Sequence, residues 1–207
     1  QALFVTLFLE AHKKPPKRIV IDLDATDDPL HGHQEGAFFH GYYDGYCYLP
    51  LYIFCGRHLL AAKLRRSNID ASAGAVEEIA RIVAQIRAHS PETEIRLRAD
   101  SGFAREELMA WCEENGVDYV FGLARNNRLV AKIGRELKAA QREAGRTGRG
   151  ARRFKDVQGA TLHRVRRKRR VVATGEMTQG EANPRHFVTS LTRHELDGQT
   201  RHERPHS

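Results

Sequence analysis

The chain has no run approaching the roughly 18 apolar residues needed to cross a bilayer. Ala2 to Leu9, ALFVTLFL, is apolar but short. No basic segment precedes it and no small-residue cleavage site follows, so it does not read as a signal peptide. Cysteine is scarce: Cys47, Cys55 and Cys112 are odd in number and form no CxxC pair. That excludes a disulfide framework and a zinc ribbon, and implies reduced thiols in a cytosolic setting. There is no internal repeat. Ser101-Gly102 lacks the GxSxG frame of a nucleophile elbow, which argues against a serine hydrolase. The chain begins at Gln1 and not at Met, as expected of a fragment or a processed product.

What is present is a soluble, globular composition, 41% hydrophobic and 29% charged over 207 residues, with an uneven charge. Between Arg125 and Ala173 there are 17 Lys/Arg against 3 Asp/Glu, a local excess of +14 within a net charge of +8, so the remainder carries −6. A basic segment joined to a mildly acidic one points to a polyanion partner. Nucleic acid fits better than a membrane, because the basic segment has no amphipathic apolar face. Its candidate phosphate contacts are Arg125, Arg128, Arg152, Arg153, Lys155, Arg164, Arg166, Arg167, Lys168, Arg169 and Arg170. The competing reading is a solvated charged face.

Periodicity supplies an element order. Arg18 to Asp24 alternates with period two and reads as a strand. Cys47 to Cys55, CYLPLYIFC, reads as a second strand, with Pro50 marking an edge or bulge. Gly56-Arg57 turns into a third strand over His58 to Arg65. Ala73 to His89 is an amphipathic helix with Val76, Ile79, Val83 and Ile86 inward. Glu94 to Ala99 is a fourth strand. Arg105 to Asn115 is a second helix with Leu108, Trp111 and Cys112 inward, stopped by Asn115-Gly116. Asp118 to Leu123 is a fifth strand. Arg128 to Ala144 is helical, Gly145 to Gly150 is a flexible basic joint, and Phe187 to Leu191 is a further strand. The last sixteen residues have no period and read as a frayed tail. The expected organisation is a core over 1–124, a basic and largely β insertion over 125–191, and a polar tail over 192–207.

The segment IDLDATDDPLHGHQEG, Ile21 to Gly36, concentrates carboxylates at the end of the first strand. If the first and fourth strands are adjacent and parallel, Asp24 and Asp100 converge outside the strand ends, where α/β sheets place their sites. Paired oxygen ligands suit Mg²⁺ or Mn²⁺. Asp22 shares the face of Asp24, one pleat deeper, and is a ligand, a supporting group or the partner of a buried Arg. The alternative for Asp100 is a turn former or helix N-cap. Asp27, Asp28 and Pro29 read as the turn that leaves the strand. His31, His33, His40 and Cys47 match no established zinc spacing, and their loop reads as the lining of a DNA channel with Gln34 and Glu35 as polar contacts. Tyr42, Tyr43, Tyr46 and Tyr48 either stack on bases or pack within a sheet.

The stretches DLDATDDPLHGHQEG, FFHGYYDGYCYLPLYIFCG, LRRSNIDASAG, RADSGFAREELMAWCEENGVDYVFGLARN and ANPRHFVTSL resemble the catalytic core of bacterial insertion-sequence transposases of the DDE class over most of Lys17 to Leu191. The resemblance implies an α/β RNase H-like fold, a mixed five-stranded sheet flanked by helices in the order β-β-β-α-β-α-β. It also implies Mg²⁺- or Mn²⁺-dependent cleavage and strand transfer at transposon ends, DNA as partner, a homodimer on DNA, and a cytoplasmic, nucleoid-associated protein. It maps the first catalytic Asp onto Asp24, with Asp22 as fallback, and the second onto Asp100. The family's third residue is a Glu on a helix well after the strand matching FVTSL. Only Glu195 and Glu203 are acids of that type in the tail, and neither sits in the family's motif, so the chain is expected to stop before the third carboxylate. The alternatives are a non-catalytic DNA-binding remnant and an RNase H-like nuclease.

Overall fold

The computed structural model describes residues 2–12, 14–32, 34–124, 127–157, 169–178, 181–192 and 195. It divides into two compact units, Gln1–Val117 and Asp118–Ser207.

In the first unit, helix α1 (Ala2–Glu10) buries Val5 and Phe8 and leaves Leu3 and Leu7 exposed. It packs on the strand His58–Lys63 and the helix Ala75–His89 and is tied down by Gln85, whose amide donates to the Ala2 carbonyl and the Thr6 hydroxyl. The apolar run that is too short for a membrane is thus a capping helix, a role the sequence reading did not give it. Strand β1 (Arg18–Ala25) alternates as expected: Ile19, Ile21 and Leu23 are buried between more accessible neighbours. Then come β2 (Asp28–Pro29), β3 (Phe38–His40) and β4 (Gly45–Tyr48), which form a small sheet in the order β2-β4-β3. Strands β5 (Leu51–Cys55) and β6 (His58–Lys63) follow, then helix α2 (Ala75–His89), β7 (Glu94–Ala99) and helix α3 (Glu106–Glu114).

The main sheet of this unit runs β6-β5-β1-β7. It is mixed: β6, β5 and β1 are mutually antiparallel neighbours, and β1 pairs parallel with β7. Helix α2 buries Ile79, Ile82, Val83 and Ile86 on one stripe, while Glu77 lies on the exposed side. In α3 the buried residues are Leu108, Met109 and Cys112; Trp111 is half-buried, so Met109 takes the inward place expected for it.

One expected strand is really two. The run Cys47 to Cys55 breaks at Leu49-Pro50, with β4 in the small sheet and β5 in the main one. Proline has no N–H to give a ladder, so the chain changes sheets there. The Leu49 N–H bonds the Arg65 carbonyl across the gap. Asp28 and Pro29 also differ from expectation: they pair with Tyr48 and Cys47 as strand β2.

The second unit starts with β8 (Asp118–Leu123), then helices α4 (Asn127–Lys132) and α5 (Gly134–Thr147), and strands β9 (Ala151–Asp156), β10 (Arg170–Thr178) and β11 (Glu181–Thr189). Its strands run β8-β11-β10-β9, all antiparallel. The helix expected over Arg128 to Ala144 is split at Ile133 and extends through the supposed joint to Thr147, where Gly148 closes it in the left-handed conformation at φ 65°. Pro184 sits opposite Gly175 of β10, beyond the stretch His186–Thr189 that pairs with β8, so its missing N–H breaks no ladder there. The chain order β1-β5-β6-α2-β7-α3-β8 matches the β-β-β-α-β-α-β expectation, and the architecture is the mixed α/β, RNase H-like one.

Candidate metal and DNA-processing site

Strands β1 and β7 are adjacent and parallel, with Asp22 opposite Arg98 and Leu23 opposite Ala99. Asp24 and Asp100 are the next positions along. Asp100 keeps an extended backbone, φ −75° and ψ −171°, so it continues the alternation of β7. Successive pairs on one face of the two strands are therefore Asp22 with Arg98, then Asp24 with Asp100. The first pair is neutral: Arg98 Nε and Nη2 donate to the two Asp22 oxygens at 2.6 and 3.1 Å. The fork-on-carboxylate geometry occupies both oxygens of Asp22.

The second pair is two carboxylates. Asp24 is exposed and makes no hydrogen bond or ion pair among the described residues. One oxygen of Asp100 accepts from the Gly102 N–H at 2.8 Å, capping a 3-10 turn over Ser101–Phe103. The N-cap reading of Asp100 is thus correct in itself, and it leaves the other oxygen unengaged among the described residues. Like charges facing each other across a strand pair destabilise the sheet unless a cation lies between them.

Tyr43 borders this pair. Its hydroxyl donates to the Ala25 carbonyl at 3.3 Å. Burial raises the phenol above its usual value, and the charges of Asp27, Asp24 and Asp100, with the Tyr42 ring, push it further up. The contact places Tyr43 at the end of β1, one residue from Asp24. The two acids fit a hard divalent cation as partial ligands, with water completing its shell. Among the described residues no group of three or more His, Cys, Asp or Glu side chains is arranged to hold a metal. That includes His31, His40 and Cys47; Cys47 is buried, and the His40 ring lies 4.9 Å from that of Tyr43, tilted by 45°. His33 lies outside the described residues.

Glu195 has a role that its sequence context signals. Its Oε2 accepts from the Thr192 N–H at 2.8 Å and from the Thr192 hydroxyl at 2.5 Å, and Glu195 is helical. The bond from the Thr192 N–H to Glu195 is one half of the reciprocal capping-box pattern, and apart from Glu195 the rest of the expected tail, from residue 193 on, lies outside the described residues. Glu203 lies outside the described residues.

The basic segment is more self-satisfied than its charge suggests. Arg152 pairs with Glu176, Arg153 with Glu143, Lys155 with Glu136, and Arg170 with Asp156. Arg170 also donates to the Leu191 carbonyl and Lys155 to that of Lys132. Arg169 is half-buried at the entry to β10. Arg125, Arg164, Arg166, Arg167 and Lys168 lie outside the described residues, as does the side chain of Arg128.

The family model described as "Transposase DDE domain group 1" matches residues 1–204. No curated protein matches the chain. Among solved structures, the piggyBac transposase synaptic complex with hairpin DNA superposes with TM-score 0.47 at 11% identity, covering 87% of this chain and 34% of that one. Marinitoga piezophila Argonaute in complex with 5′ OH guide RNA superposes with TM-score 0.40 at 9% identity, covering 90% of this chain and 26% of that one. The chain thus spans about a third or less of the length of these proteins. With its family model matched from end to end of the described fold, this chain belongs to the DDE transposase family, Transposase DDE domain group 1.

Proposed function

We propose that the chain is the DNA strand-cleavage core of an insertion-sequence transposase, and that Asp24 and Asp100 are two of its metal-ligating catalytic carboxylates. The observation that carries this reading is the facing Asp24–Asp100 pair, left without a neutralising partner among the described residues directly beside an Asp22–Arg98 pair that has one. Asp22 then acts as a positioning residue: held by Arg98, it fixes the level of β1 at which Asp24 emerges. Mg²⁺ or Mn²⁺, when bound, supplies Lewis-acid polarisation of the phosphodiester and lowers the pKa of an attacking water or hydroxyl. The chain's own contribution is placement. Asp24 offers an unengaged carboxylate, Asp100 is oriented by its capping bond, and Tyr43 keeps its proton and offers no competing anion.

The partner is DNA, as insertion-sequence ends and target, and assembly on it is as a homodimer. Its backbone is met by the basic segment through phosphate contacts, which position and do not read sequence. Arg152 and Arg153 already pair with Glu176 and Glu143, so the phosphate contacts fall mainly to the other cations of the segment. Two carboxylates hold a cation weakly, and purified residues 1–207 are expected to nick DNA poorly and to join ends little or not at all. The capping role of Asp100 favours a second reading, a DNA-binding relative without chemistry. The test is divalent-ion-dependent nicking by the parent, Asp24→Ala and Asp100→Asn. Loss of nicking with retained salt-sensitive DNA binding supports the cleavage core. Nicking at the parent's rate in both variants refutes the site.

A further inference from the structure

The segment LRRSNIDASAG, Leu64 to Gly74, joins β6 to α2 and lies against the turn that presents Asp100. Its shape is set from inside by Arg65, which is buried. A buried guanidinium must find acceptors, and this one takes backbone carbonyls. Its Nε donates to Leu49 at 2.8 Å, and Nη1 to Ala73 at 2.7 Å and Ala71 at 3.0 Å. Asp70 stands on the exposed edge of the loop held in this way. Its Oδ1 accepts from the Ser72 N–H at 2.9 Å and the Ser72 hydroxyl at 2.7 Å, an Asx turn. Its Oδ2 accepts from Nε and Nη2 of Arg105 at 3.0 and 2.9 Å. Against burial, which raises it, these bonds hold the Asp70 carboxyl below the usual carboxylate value. Arg105, the residue before α3, also uses its remaining nitrogen: Nη1 donates to the Ser101 carbonyl at 3.3 Å.

The Ser101 carbonyl and the Gly102 N–H belong to one planar peptide unit. That N–H donates to Asp100 Oδ1 at 2.8 Å. Arg105 therefore holds the oxygen end of the unit whose N–H end orients Asp100, and turning the peptide breaks both bonds. The loop also limits the turn by contact: a Cβ on Gly102 would lie 3.0 Å from the Ala71 Cβ and 3.0 Å from Asp100 Oδ1. On the inner side the fully buried Phe103 anchors the turn, its N–H bonded to the Asp100 carbonyl at 3.3 Å. The Arg105 and Asp70 side chains are 44% and 47% exposed, where an ion pair adds little to overall stability. What distinguishes this pair is the place of its third contact, on the peptide next to Asp100.

We infer that Arg105, held by Asp70, is a positioning residue for Asp100: it fixes the plane of the Ser101–Gly102 peptide and, through the Gly102 N–H, the direction of the Asp100 carboxylate. The inference rests on the reading of Asp24 and Asp100 as metal ligands for its consequence, a tighter grip on a divalent cation. The orientation of Asp100 itself is tested without a metal.

The experiment uses the full chain and two readouts. Hydrogen exchange of the Gly102 amide, followed by NMR at fixed pH, reports its bond to Asp100 whether or not a metal binds. Arg105→Gln, Arg105→Lys and Asp70→Asn are each expected to speed that exchange about fivefold or more, with the Leu97 amide of β7 unchanged. A bridge that only stabilised the fold would move both amides together or neither. The second readout is Mn²⁺ affinity by electron paramagnetic resonance. On charge alone, removing a guanidinium near two carboxylates tightens cation binding. Loss of position weakens it, by about tenfold for a group that orients a ligand. Arg105→Lys keeps the charge and loses the fork, so it is expected to weaken binding as Arg105→Gln does. Unchanged Gly102 exchange in all three variants overturns the inference, and so does tighter Mn²⁺ binding by Arg105→Gln. Failure of the acid-pair reading has a different signature, equal Mn²⁺ affinity in Asp24→Ala and the parent. Gly102 exchange then decides alone: faster exchange in the variants upholds the positioning role, and unchanged exchange overturns it.

Discussion

Removing the charge of Asp24 separates a metal ligand from a structural acid. Asp24 has no hydrogen bond or ion pair among the described residues, and it and Asp100 each lie one position past the end of the β1–β7 ladder at Leu23 and Ala99. In metal-free buffer, Asp24→Ala therefore loses nothing and relieves a like-charge cross-strand pair, worth about 0.2–1 kcal/mol in favour of the variant. Asp100→Ala instead removes the cap on the Gly102 N–H, which costs about 1 kcal/mol. Asp100→Asn keeps that cap, since an amide oxygen accepts equally well, and removes only the charge. Magnesium should invert the ranking. For a weak carboxylate site with a Kd on the order of 1 mM, about 10 mM Mg²⁺ stabilises the parent by about 1.4 kcal/mol. In a chain of this size that is roughly 3–5 °C in melting temperature. Thermal melts with and without Mg²⁺, read by circular dichroism, give all the comparisons. The expected outcome is a Mg²⁺-induced rise in the parent that is absent in Asp24→Ala and Asp100→Asn. A rise that survives in both variants, or a metal-free loss above about 1 kcal/mol in Asp24→Ala, refutes the reasoning.

Replacing Arg152 or Arg153, which pair with Glu176 and Glu143, should change the slope of log affinity against log salt for duplex DNA by well under one; replacing Arg164, Arg166, Arg167 or Lys168, proposed as phosphate contacts, should change it by about 0.9 each, and equal slopes for all variants would contradict this. Burial, with Asp22 nearby, raises the Cys55 thiol from 9.0 to about 11 despite a backbone hydrogen bond from Val20. The folded state thus holds that proton more tightly than the unfolded one, and its contribution to stability is present below pH 9 and is lost as pH rises towards about 11. Alkylation followed by mass spectrometry should show Cys55 reacting with a midpoint near 11; a midpoint at the ordinary thiol value refutes it. Gly175→Ala places a methyl 3.1 Å from the Leu137 side chain and backbone N and 3.2 Å from its Cα. Because helix α5 must move away from β10, urea unfolding should show a loss of about 1–3 kcal/mol, and a neutral result would mean the helix is free to shift.

Strands β7 and β8 were legible to the residue, because Glu94–Ala99 alternates charged and apolar residues and Asp118–Leu123 is a short β-branched and aromatic run, each with clear stops on both sides. Asp24 and Asp100 were legible as strand-end acids for the same reason: each follows a run whose alternation fixes its face. The division of CYLPLYIFC into two sheets was hidden, although Pro50 marked the place, since only the partner strands decide on which side a broken ladder resumes. Helix α1 was hidden because ALFVTLFL is apolar on every face, and no period told which side would be covered.

By itself, the sequence determined the order of strands and helices from β1 through β8 that carries the acids, the mixed α/β class and the identity of the acids at the strand ends. Those properties depend on local period, turn chemistry and spacing, which neighbours in the chain carry. Tertiary structure alone decided which acids are spent. Asp22 is neutralised because Arg98, 76 residues away, is its cross-strand neighbour, and Asp24, one position past the end of that ladder, has no hydrogen bond or ion pair among the described residues. It likewise decided that Arg152 and Arg153 face acids of their own unit, and that Phe39, Tyr42 and Tyr46 face outward. Charge and aromaticity are properties of residues. Whether they are compensated or covered depends on contacts between segments distant in the chain, which are formed only when the sheet registers close.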